Sequence, residues 1–294
     1  MQLIISKYIE ITKPRITMLV LVTTYLGYYL GLRSQNYHMI SWDSWVQLLF
    51  LLIGTWATSA SAAVLNQVLE RKYDAVMNRT KGRPIVTGII SLYHAIYFGI
   101  TLGVFGVIFL YILINPLTAL ISFITIFLYL FIYTPSKRFS VLNTIVGSIP
   151  GALPPVGGWA AATGSLSAPA WILFGILFCW QMPHFLAIAI IYASDYDRGG
   201  FKMLPNVYPE SKRTSYTILF FTIALIVTSL GLYIIKVAGI FYAISAAILG
   251  ILLFIVACQV MLNSSKKNAH RLMFASIIYL PILLIIILVE RFLV

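Results

Sequence analysis

The amino-acid sequence predicts an all-α, polytopic membrane protein, and three observations support that fold class. Only 10% of the residues are charged, against about 25% in soluble domains, which is too few to cover a soluble surface. Hydrophobic residues make up 61% of the chain, and the mean hydropathy is +0.95. The apolar stretches are long and continuous, which favours helices over the alternating pattern of a transmembrane β-barrel. A soluble enzyme, a disordered chain and a disulfide scaffold are all disfavoured.

Nine apolar stretches are long enough to span a bilayer, which requires about 20 mostly apolar residues per helix. Their limits are 16–34, 45–65, 91–113, 117–133, 141–162, 169–192, 215–235, 238–262 and 272–291. We expect them to form a single membrane-embedded domain over residues 1–294. The fifth stretch contains Pro150, Pro154 and Pro155, and proline removes helical hydrogen bonds. Either this helix is kinked and loosely packed, or its break lines a ligand cavity.

The basic residues predict the orientation of the spans. With nine spans, 17 of the 20 Lys and Arg residues fall on one side, and only Arg33, Lys236 and Arg291 fall on the other. By the positive-inside rule, the N-terminus and the loops 66–90, 134–140, 193–214 and 263–271 are cytoplasmic, and the C-terminus is outside. The net charge of +12 is therefore a topology signal, and nucleic acid is not expected as a partner.

A cluster of acidic residues follows the second span. Asn66, Glu70 and Asp74 are spaced four residues apart, so on a helix they share one face. Two carboxylates and an amide oxygen are hard ligands that suit Mg²⁺, which commonly bridges to substrate phosphates. Basic residues in the same segment would complete a diphosphate cradle, and they are Arg71, Lys72, Arg79, Lys81 and Arg83. Lys137 and Arg138, at the end of the fourth span, are further candidates, although a plain topology role suits any single base equally well.

A second acidic cluster follows the sixth span. It places Asp195 and Asp197 beside the basic residues Arg198 and Lys202. Two similar clusters on one membrane face indicate one diphosphate site between two halves, with one or two metal ions. The other interpretation is that both clusters are solvated loops with local salt bridges. The four-residue spacing and the duplication favour the metal site.

Residues 66–84 and several shorter motifs form a recognisable set. The first segment reads Asn-xxx-Glu-xxx-Asp-xxx-Asn-Arg-Thr-Lys-Gly-Arg-Pro, and it resembles the first aspartate-rich motif of the UbiA-type intramembrane prenyltransferases. Within that superfamily, further motifs resemble those of the protohaem IX farnesyltransferases, also called haem O synthases. They are Lys13-Pro-Arg-Ile16, Tyr133-Thr-Pro-Ser-Lys-Arg138, Pro-Pro-Val-Gly-Gly-Trp within 143–164, Trp180-Gln-Met-Pro-His-Phe185 and Asp-Tyr-Asp-Arg-Gly-Gly-Phe-Lys-Met-Leu-Pro at 195–205. The resemblance covers roughly residues 10–290, and the last two motifs are specific to the haem branch.

The resemblance implies a fold and a reaction. The fold is a nine-helix bundle with a central cavity, and the reaction transfers a farnesyl group from farnesyl diphosphate to a vinyl group of haem B, giving haem O. It implies Mg²⁺ as the ion, with the metal–diphosphate held by Asn66, Glu70, Asp74 and Asp195. Two positions depart from the wider superfamily, which prefers Asp at position 70 and has an acid at position 199, where this chain has Gly199. Either Asp197 substitutes for that acid, or a second metal is held less fully.

Two further residues are candidates for substrate contact. His184, inside the sixth span, is either a neutral histidine hydrogen-bonded between helices or a ligand or neighbour of the haem iron. Asn143, before the broken helix, either contacts substrate or caps the helix. The resemblance also implies contact with membrane lipid and with respiratory-oxidase assembly partners. With no long N-terminal extension in the sequence, we expect a bacterial inner membrane.

Three other functions stay open at this point. Another aromatic or quinone-precursor prenyltransferase of the superfamily would keep the metal cluster but not the Trp-Gln-Met-Pro-His-Phe segment. A membrane transporter would explain the broken helix, but its acids would lie near the bilayer midplane. A structural subunit of a respiratory complex gives no reason for two acidic clusters.

Overall fold

Helices make up the regular structure of the described chain. The computed structural model describes residues 2–35 and 41–293, and this part contains no β-strand. Its α-helices are, in order, α1 (Gln2–Ile11), α2 (Pro14–Ser34), α3 (Trp42–Asp74), α4 (Leu92–Leu113), α5 (Pro116–Phe127), α6 (Thr134–Phe139), α7 (Asn143–Ala152), α8 (Pro154–Thr163), α9 (Ala168–Ile191), α10 (Ala193–Arg198), α11 (Leu204–Val207), α12 (Arg213–Ile234), α13 (Ile240–Leu262) and α14 (Lys266–Leu293). The predicted all-α class is confirmed.

Eight of the nine predicted spans are continuous helices. Among the described residues, eight helices are long and apolar enough to cross a membrane: α2, α3, α4, α5 continued through α6, α9, α12, α13 and α14. The predicted fifth span, 141–162, is instead divided between α7 and α8, each of 10 residues. Pro150 lies inside α7 and Pro154 begins α8. Because each ring lacks a backbone donor, the local hydrogen bonding of a single long helix is lost.

Two of the predicted span limits that differ from the observed helices concern the candidate site. The second span does not end at residue 65, because α3 continues to Asp74. The fourth span does not end at residue 133, because a π-helical segment, Leu128–Tyr133, leads into α6. The Thr134 hydroxyl donates to the Tyr129 carbonyl across that wider turn, at 2.8 Å. Asn66, Glu70, Asp74, Lys137 and Arg138 therefore lie on helices rather than in loops.

The chain divides into two compact units. The first comprises Met1–Arg138, Leu153–Leu166 and Arg198–Gly200. Its core includes Tyr28, Leu51 and Leu110, from α2, α3 and α4. Helices α2 and α8 meet at backbone distance, since a Cβ on Gly158 would overlap the carbonyl group of Thr24. Small residues permit such close helix contacts in membrane proteins.

The second unit comprises Phe139–Ala152, Ser167–Asp197 and Phe201–Val294. Polar side chains join its apolar helices. Ser229 of α12 bonds the Tyr279 hydroxyl of α14 at 3.0 Å, and both residues are buried. The Glu290 carboxylate of α14 accepts from the backbone N–H groups of Gly239 (2.7 Å) and Tyr242 (3.1 Å). These two donors lie at the start of α13, so Glu290 caps that helix from a neighbouring one.

Candidate active site

The last two turns of α3 carry the first candidate ligands. Asn66, Glu70 and Asp74 lie on this helix at the predicted four-residue spacing, so the structure places them along one face. They are nearly enclosed, with exposed fractions of 1%, 5% and 1%. Together these three side chains form the acidic row. Burying a carboxylate costs free energy unless it is paired with a cation, so the cations around the acidic row determine whether it is stable.

Each of the three residues is bonded to a basic side chain of the same unit. The Lys13 ammonium donates to Asn66 Oδ1 at 3.0 Å, and the Lys137 ammonium donates to Glu70 Oε1 at 2.8 Å. The Arg83 guanidinium donates to Asp74 Oδ2. The row therefore consists of three side chains with hard oxygen atoms, and one oxygen of each side chain is in contact with a base. A ligand with several negative charges, bound along the acidic row, would lie next to a basic side chain at each of the three positions.

Lys13 is held in this position by its backbone. It precedes α2 with φ 50° and ψ 61°, the left-handed region that a residue with a side chain rarely adopts. Burial, together with the nearby charge of Arg83, lowers the pKa of Lys13 to about 7. An anion bound between these two bases would favour the charged lysine, because opposite charge stabilises the ammonium.

The donor set suits Mg²⁺. Asp74 Oδ1 is buried and has no hydrogen-bond partner within the described ranges. Such an oxygen is expensive to bury, and a hard cation or its bound water would satisfy it. The described residues contain no group of three or more His, Cys, Asp or Glu side chains able to hold a metal. Asn66, substrate oxygens and water would therefore have to complete the coordination, which is how Mg²⁺ usually binds phosphates.

Two tyrosines orient the bases at the end of the fourth span. The Arg138 guanidinium donates to the Tyr73 hydroxyl at 2.6 Å and lies 4.9 Å from the centre of that ring. The Lys137 ammonium lies 4.5 Å from the centre of the Tyr133 ring. Cation–π contacts of this kind restrict long, flexible side chains. Lys137 is therefore held against Glu70 and Arg138 against Tyr73, and contact of either base with a diphosphate stays a prediction.

The other bases of the first cluster lie farther out. Arg83 is half-buried and contacts Asp74, whereas Arg71, Arg79 and Lys81 are exposed. After α3 the chain turns back, with the Thr80 hydroxyl donating to the Asp74 carbonyl at 3.0 Å. This turn brings Arg83 onto the row. A diphosphate-binding role for the three exposed bases stays a prediction.

The second cluster belongs to the second compact unit. Asp195, on α10, is buried, and Asp197 on the same helix is exposed. The difference favours Asp195 over Asp197 as a ligand, since an exposed carboxylate near a turn is an ordinary solvated group. Whether Asp195 completes the metal site, and whether Asp197 replaces the missing acid at Gly199, stay predictions.

Asn143 shapes the segment that follows α10. Both bonds of its amide nitrogen go to backbone carbonyls, those of Ser140 (2.7 Å) and Lys202 (2.8 Å). Buried Phe201 and Met203 flank Lys202, whose side chain is exposed. Asn143 therefore holds this loop at the start of α7, and its direct contact with substrate stays a prediction.

His184 lies on α9, seven positions before the end of the helix at Ile191. Its Nδ1 is 2.8 Å from the Ser276 hydroxyl of α14, and its ring is stacked on Trp180 with centroids 5.0 Å apart. The interhelical hydrogen bond predicted as one of its two roles is present. A contact with haem iron stays a prediction.

A model of the UbiA prenyltransferase family matches residues 20–278 of this chain. The chain belongs to that family. A relative from Solibacter usitatus, named Protoheme IX farnesyltransferase, is 41% identical over 97% of this chain and 98% of its own length. One of the same name from Opitutus terrae is 41% identical over 97% and 95% of the two chains. The superfamily recognised in the motifs is confirmed.

Solved structures share the fold of this UbiA prenyltransferase. The structure described for digeranylgeranylglyceryl phosphate synthase has a TM-score of 0.82 at 19% identity and covers 100% of both chains. A UbiA homologue from Archaeoglobus fulgidus, bound to DMAPP and Mg²⁺, has a TM-score of 0.67 at 14% identity and covers 96% of this chain and 99% of its own. With its eight apolar helices, the chain is an integral, multi-pass membrane protein.

Sequence reasoning missed three side chains that shape the site of this UbiA prenyltransferase. Lys13 was counted only as a topology charge, although it begins the Lys-Pro-Arg motif. Thr134 accepts from the Asn66 amide nitrogen at 3.0 Å, which directs Asn66 Oδ1 towards Lys13. Tyr73 lies within the acidic segment itself. Each belongs to a recognised motif or segment, but its partner is far away in the sequence.

Proposed function

We propose that this UbiA prenyltransferase transfers the farnesyl group of farnesyl diphosphate to a vinyl group of haem B, giving haem O and diphosphate. One observation carries the proposal. A buried row of oxygen ligands, Asn66, Glu70 and Asp74, is paired with three bases in a chain 41% identical to a Protoheme IX farnesyltransferase. The acidic row and its bases would bind the diphosphate, and the name shared by the relatives supports haem as the acceptor.

The row is suited to stabilising a leaving group. When the allylic C–O bond breaks, its electron pair moves onto the diphosphate and leaves a delocalised farnesyl cation. Lys13, Arg83 and Lys137 would place positive charge where the negative charge develops, without having to reorganise. Asn66, Glu70, Asp74 and Asp195 would hold Mg²⁺, which when bound supplies further positive charge to the leaving oxygens.

The remaining steps need an acceptor and protection from water. The vinyl π electrons of haem B form the new carbon–carbon bond to the farnesyl C1. One water molecule then adds to the cation beside the porphyrin ring and releases a proton. Because a free farnesyl cation would react with bulk water, the reaction favours an apolar surrounding, which the membrane-spanning helices provide.

The distribution of charge supports an orientation. With the N-terminus cytoplasmic, Arg71, Arg79, Lys81 and Lys202 all lie on the cytoplasmic side, where positive residues concentrate. We place the active site on that side of a bacterial inner membrane, with the C-terminus outside and membrane lipid around the helices. Contact with respiratory-oxidase assembly partners would deliver haem O to its users.

A direct assay tests the reaction. The protein is purified in detergent and incubated with haem B, farnesyl diphosphate and Mg²⁺, and haem O is sought by mass spectrometry. We expect a product that requires all three additions. Intact haem B with no product, from protein that is folded by circular dichroism, would refute the proposed reaction. Product formed equally well without any divalent cation would refute the metal assignment alone.

A further inference from the structure

One turn of α14 makes a group of contacts with α9. His184 Nδ1 lies 2.8 Å from the Ser276 hydroxyl oxygen, and the Trp180 indole N–H donates to the Ser276 carbonyl at 2.7 Å. The Ser276 hydroxyl also lies 2.7 Å from the Met273 carbonyl oxygen. Ser276 is fully buried, so no water competes for these bonds.

Counting protons at Ser276 determines the tautomer of His184. A hydroxyl group has one proton to donate, and a carbonyl oxygen can only accept. The short contact to Met273 therefore takes the Ser276 proton, because two oxygen lone pairs without a proton between them would repel at 2.7 Å. Ser276 Oγ is left as an acceptor towards His184, so His184 Nδ1 must carry the proton. In a neutral imidazole the other nitrogen, Nε2, then has a free lone pair.

The ring is held so that this lone pair has a fixed direction. Trp180, one turn earlier on α9, stacks on the imidazole at an interplanar angle of 13°. Trp180 is itself anchored to Ser276, which ties both aromatic side chains to the same turn of α14. His184 is half-buried, whereas Trp180 and Met182 beside it are buried. The contact with Ser276 is made by Nδ1, which leaves Nε2 as the ring nitrogen directed away from that hydroxyl group.

We infer that Ser276 is a positioning residue that holds His184 with its proton on Nδ1, so that Nε2 binds the iron of the metalloporphyrin substrate. The inference rests on the proposed function, in which that substrate is haem B. A neutral imidazole with one nitrogen fixed by a hydrogen bond is the usual ligand form of histidine for iron. Partners of this kind orient the ring and raise its basicity.

Porphyrin binding separates iron ligation from packing. The wild-type protein, His184→Ala, Ser276→Ala and a control, Ser229→Ala, are titrated with haem B and with metal-free protoporphyrin IX. Ser229→Ala removes another buried serine hydrogen bond to α14 without touching His184. We expect both test variants to bind haem B about 10- to 100-fold more weakly, the usual cost of losing a ligand or its supporting hydrogen bond. Their affinity for the metal-free porphyrin should be unchanged, and imidazole in solution should restore the wild-type optical spectrum of haem bound to His184→Ala.

A second measurement needs no Ser276 variant. The ¹⁵N chemical shifts of the His184 ring in the wild-type protein report which nitrogen carries the proton, and the His184→Ala variant assigns them among the four histidines. A proton on Nε2 would overturn the inference, as would equal losses of affinity for both porphyrins. If the wild-type protein makes haem O but the haem spectra of the His184→Ala and Ser276→Ala variants are unchanged, the inference is overturned and the proposed function stays intact. A wild-type protein that ligates haem through His184 but makes no haem O would refute the function alone.

Discussion

Asp74→Asn is the most informative single change in the acidic row. The substitution keeps the size of the side chain and removes one negative charge. In the structure Asp74 Oδ2 accepts from Arg83, and Oδ1 is buried without a partner. In the variant, the amide oxygen would stay with Arg83, because two donors cannot face each other. The amide nitrogen would then occupy the place of Oδ1, where it cannot bind a cation.

The size of the effect follows from that geometry. Losing one preorganised electrostatic group at a site of developing charge costs about 10²- to 10³-fold in rate, or about 2.7–4 kcal/mol of transition-state stabilisation. Stability should change much less. The variant no longer buries a carboxylate, which offsets the weakened bond to the half-buried Arg83. We therefore expect a large loss of turnover with a small shift in thermal midpoint.

The assay measures haem O formation against Mg²⁺ concentration, alongside thermal unfolding in the same detergent. Asp43→Asn is the matched control, because it makes the same chemical change at an exposed position in the first turn of the same helix. That position is about 45 Å from Asp74 along α3, at about 1.5 Å per residue. We expect Asp74→Asn to need more Mg²⁺ for any remaining activity. A rate within threefold of wild type at limiting Mg²⁺ would refute the assignment of Asp74.

Three further predictions test the site, the packing and the topology. Lys137→Met should lower the thermal midpoint by about 6 °C or more, because it leaves the buried Glu70 unpaired at a cost of about 3–5 kcal/mol. The double variant with Glu70→Gln should recover part of the stability that Lys137→Met loses. If the losses of the two single variants simply add in the double variant, Glu70 and Lys137 are not energetically coupled. Gly158→Ala should cost about 1–3 kcal/mol of stability, because its methyl group meets the Thr24 carbonyl; Gly82→Ala, which has open space, is the control in the same melting experiment. If α7 and α8 together form a ninth crossing, the two termini lie on opposite sides of the membrane. An alkaline phosphatase fused to the C-terminus should then be active, and one fused to the N-terminus should be inactive. Termini on the same side would show that α7 and α8 do not form a crossing.

Much of the fold follows from composition and periodicity. Eight stretches of apolar residues became helices within a few residues of the predicted limits, because a segment in lipid must satisfy its backbone internally. Three larger boundary differences, at the ends of the second and fourth spans and at the start of the ninth, arose where polar residues begin. The predicted second span ends at residue 65, before the segment 66–90, yet α3 continues to Asp74. The predicted fourth span ends at residue 133, but the π-helical segment Leu128–Tyr133 leads into α6, so the helical structure continues to Phe139.

The candidate site was only partly predictable. The four-residue spacing of Asn66, Glu70 and Asp74 defines a shared helix face wherever that helix lies, so local sequence was sufficient. The partners of these residues could not be predicted in the same way. Glu70 and Lys137 are separated by 67 positions, and Lys13 and Asn66 by 53. Nothing in either local pattern selects one base from the 20 Lys and Arg residues of the chain.

For this protein, the sequence by itself determined the membrane class, most of the helices and the shared helix face of Asn66, Glu70 and Asp74, because these depend on composition and on spacing along one helix. Only the tertiary structure decided which bases serve the row, that Asp195 is buried while Asp197 is exposed, and that Ser276 faces His184. Those outcomes depend on which helices pack together and in what register. Helix packing is set by shape and close contact over the whole bundle, and a local pattern of residues does not contain that information.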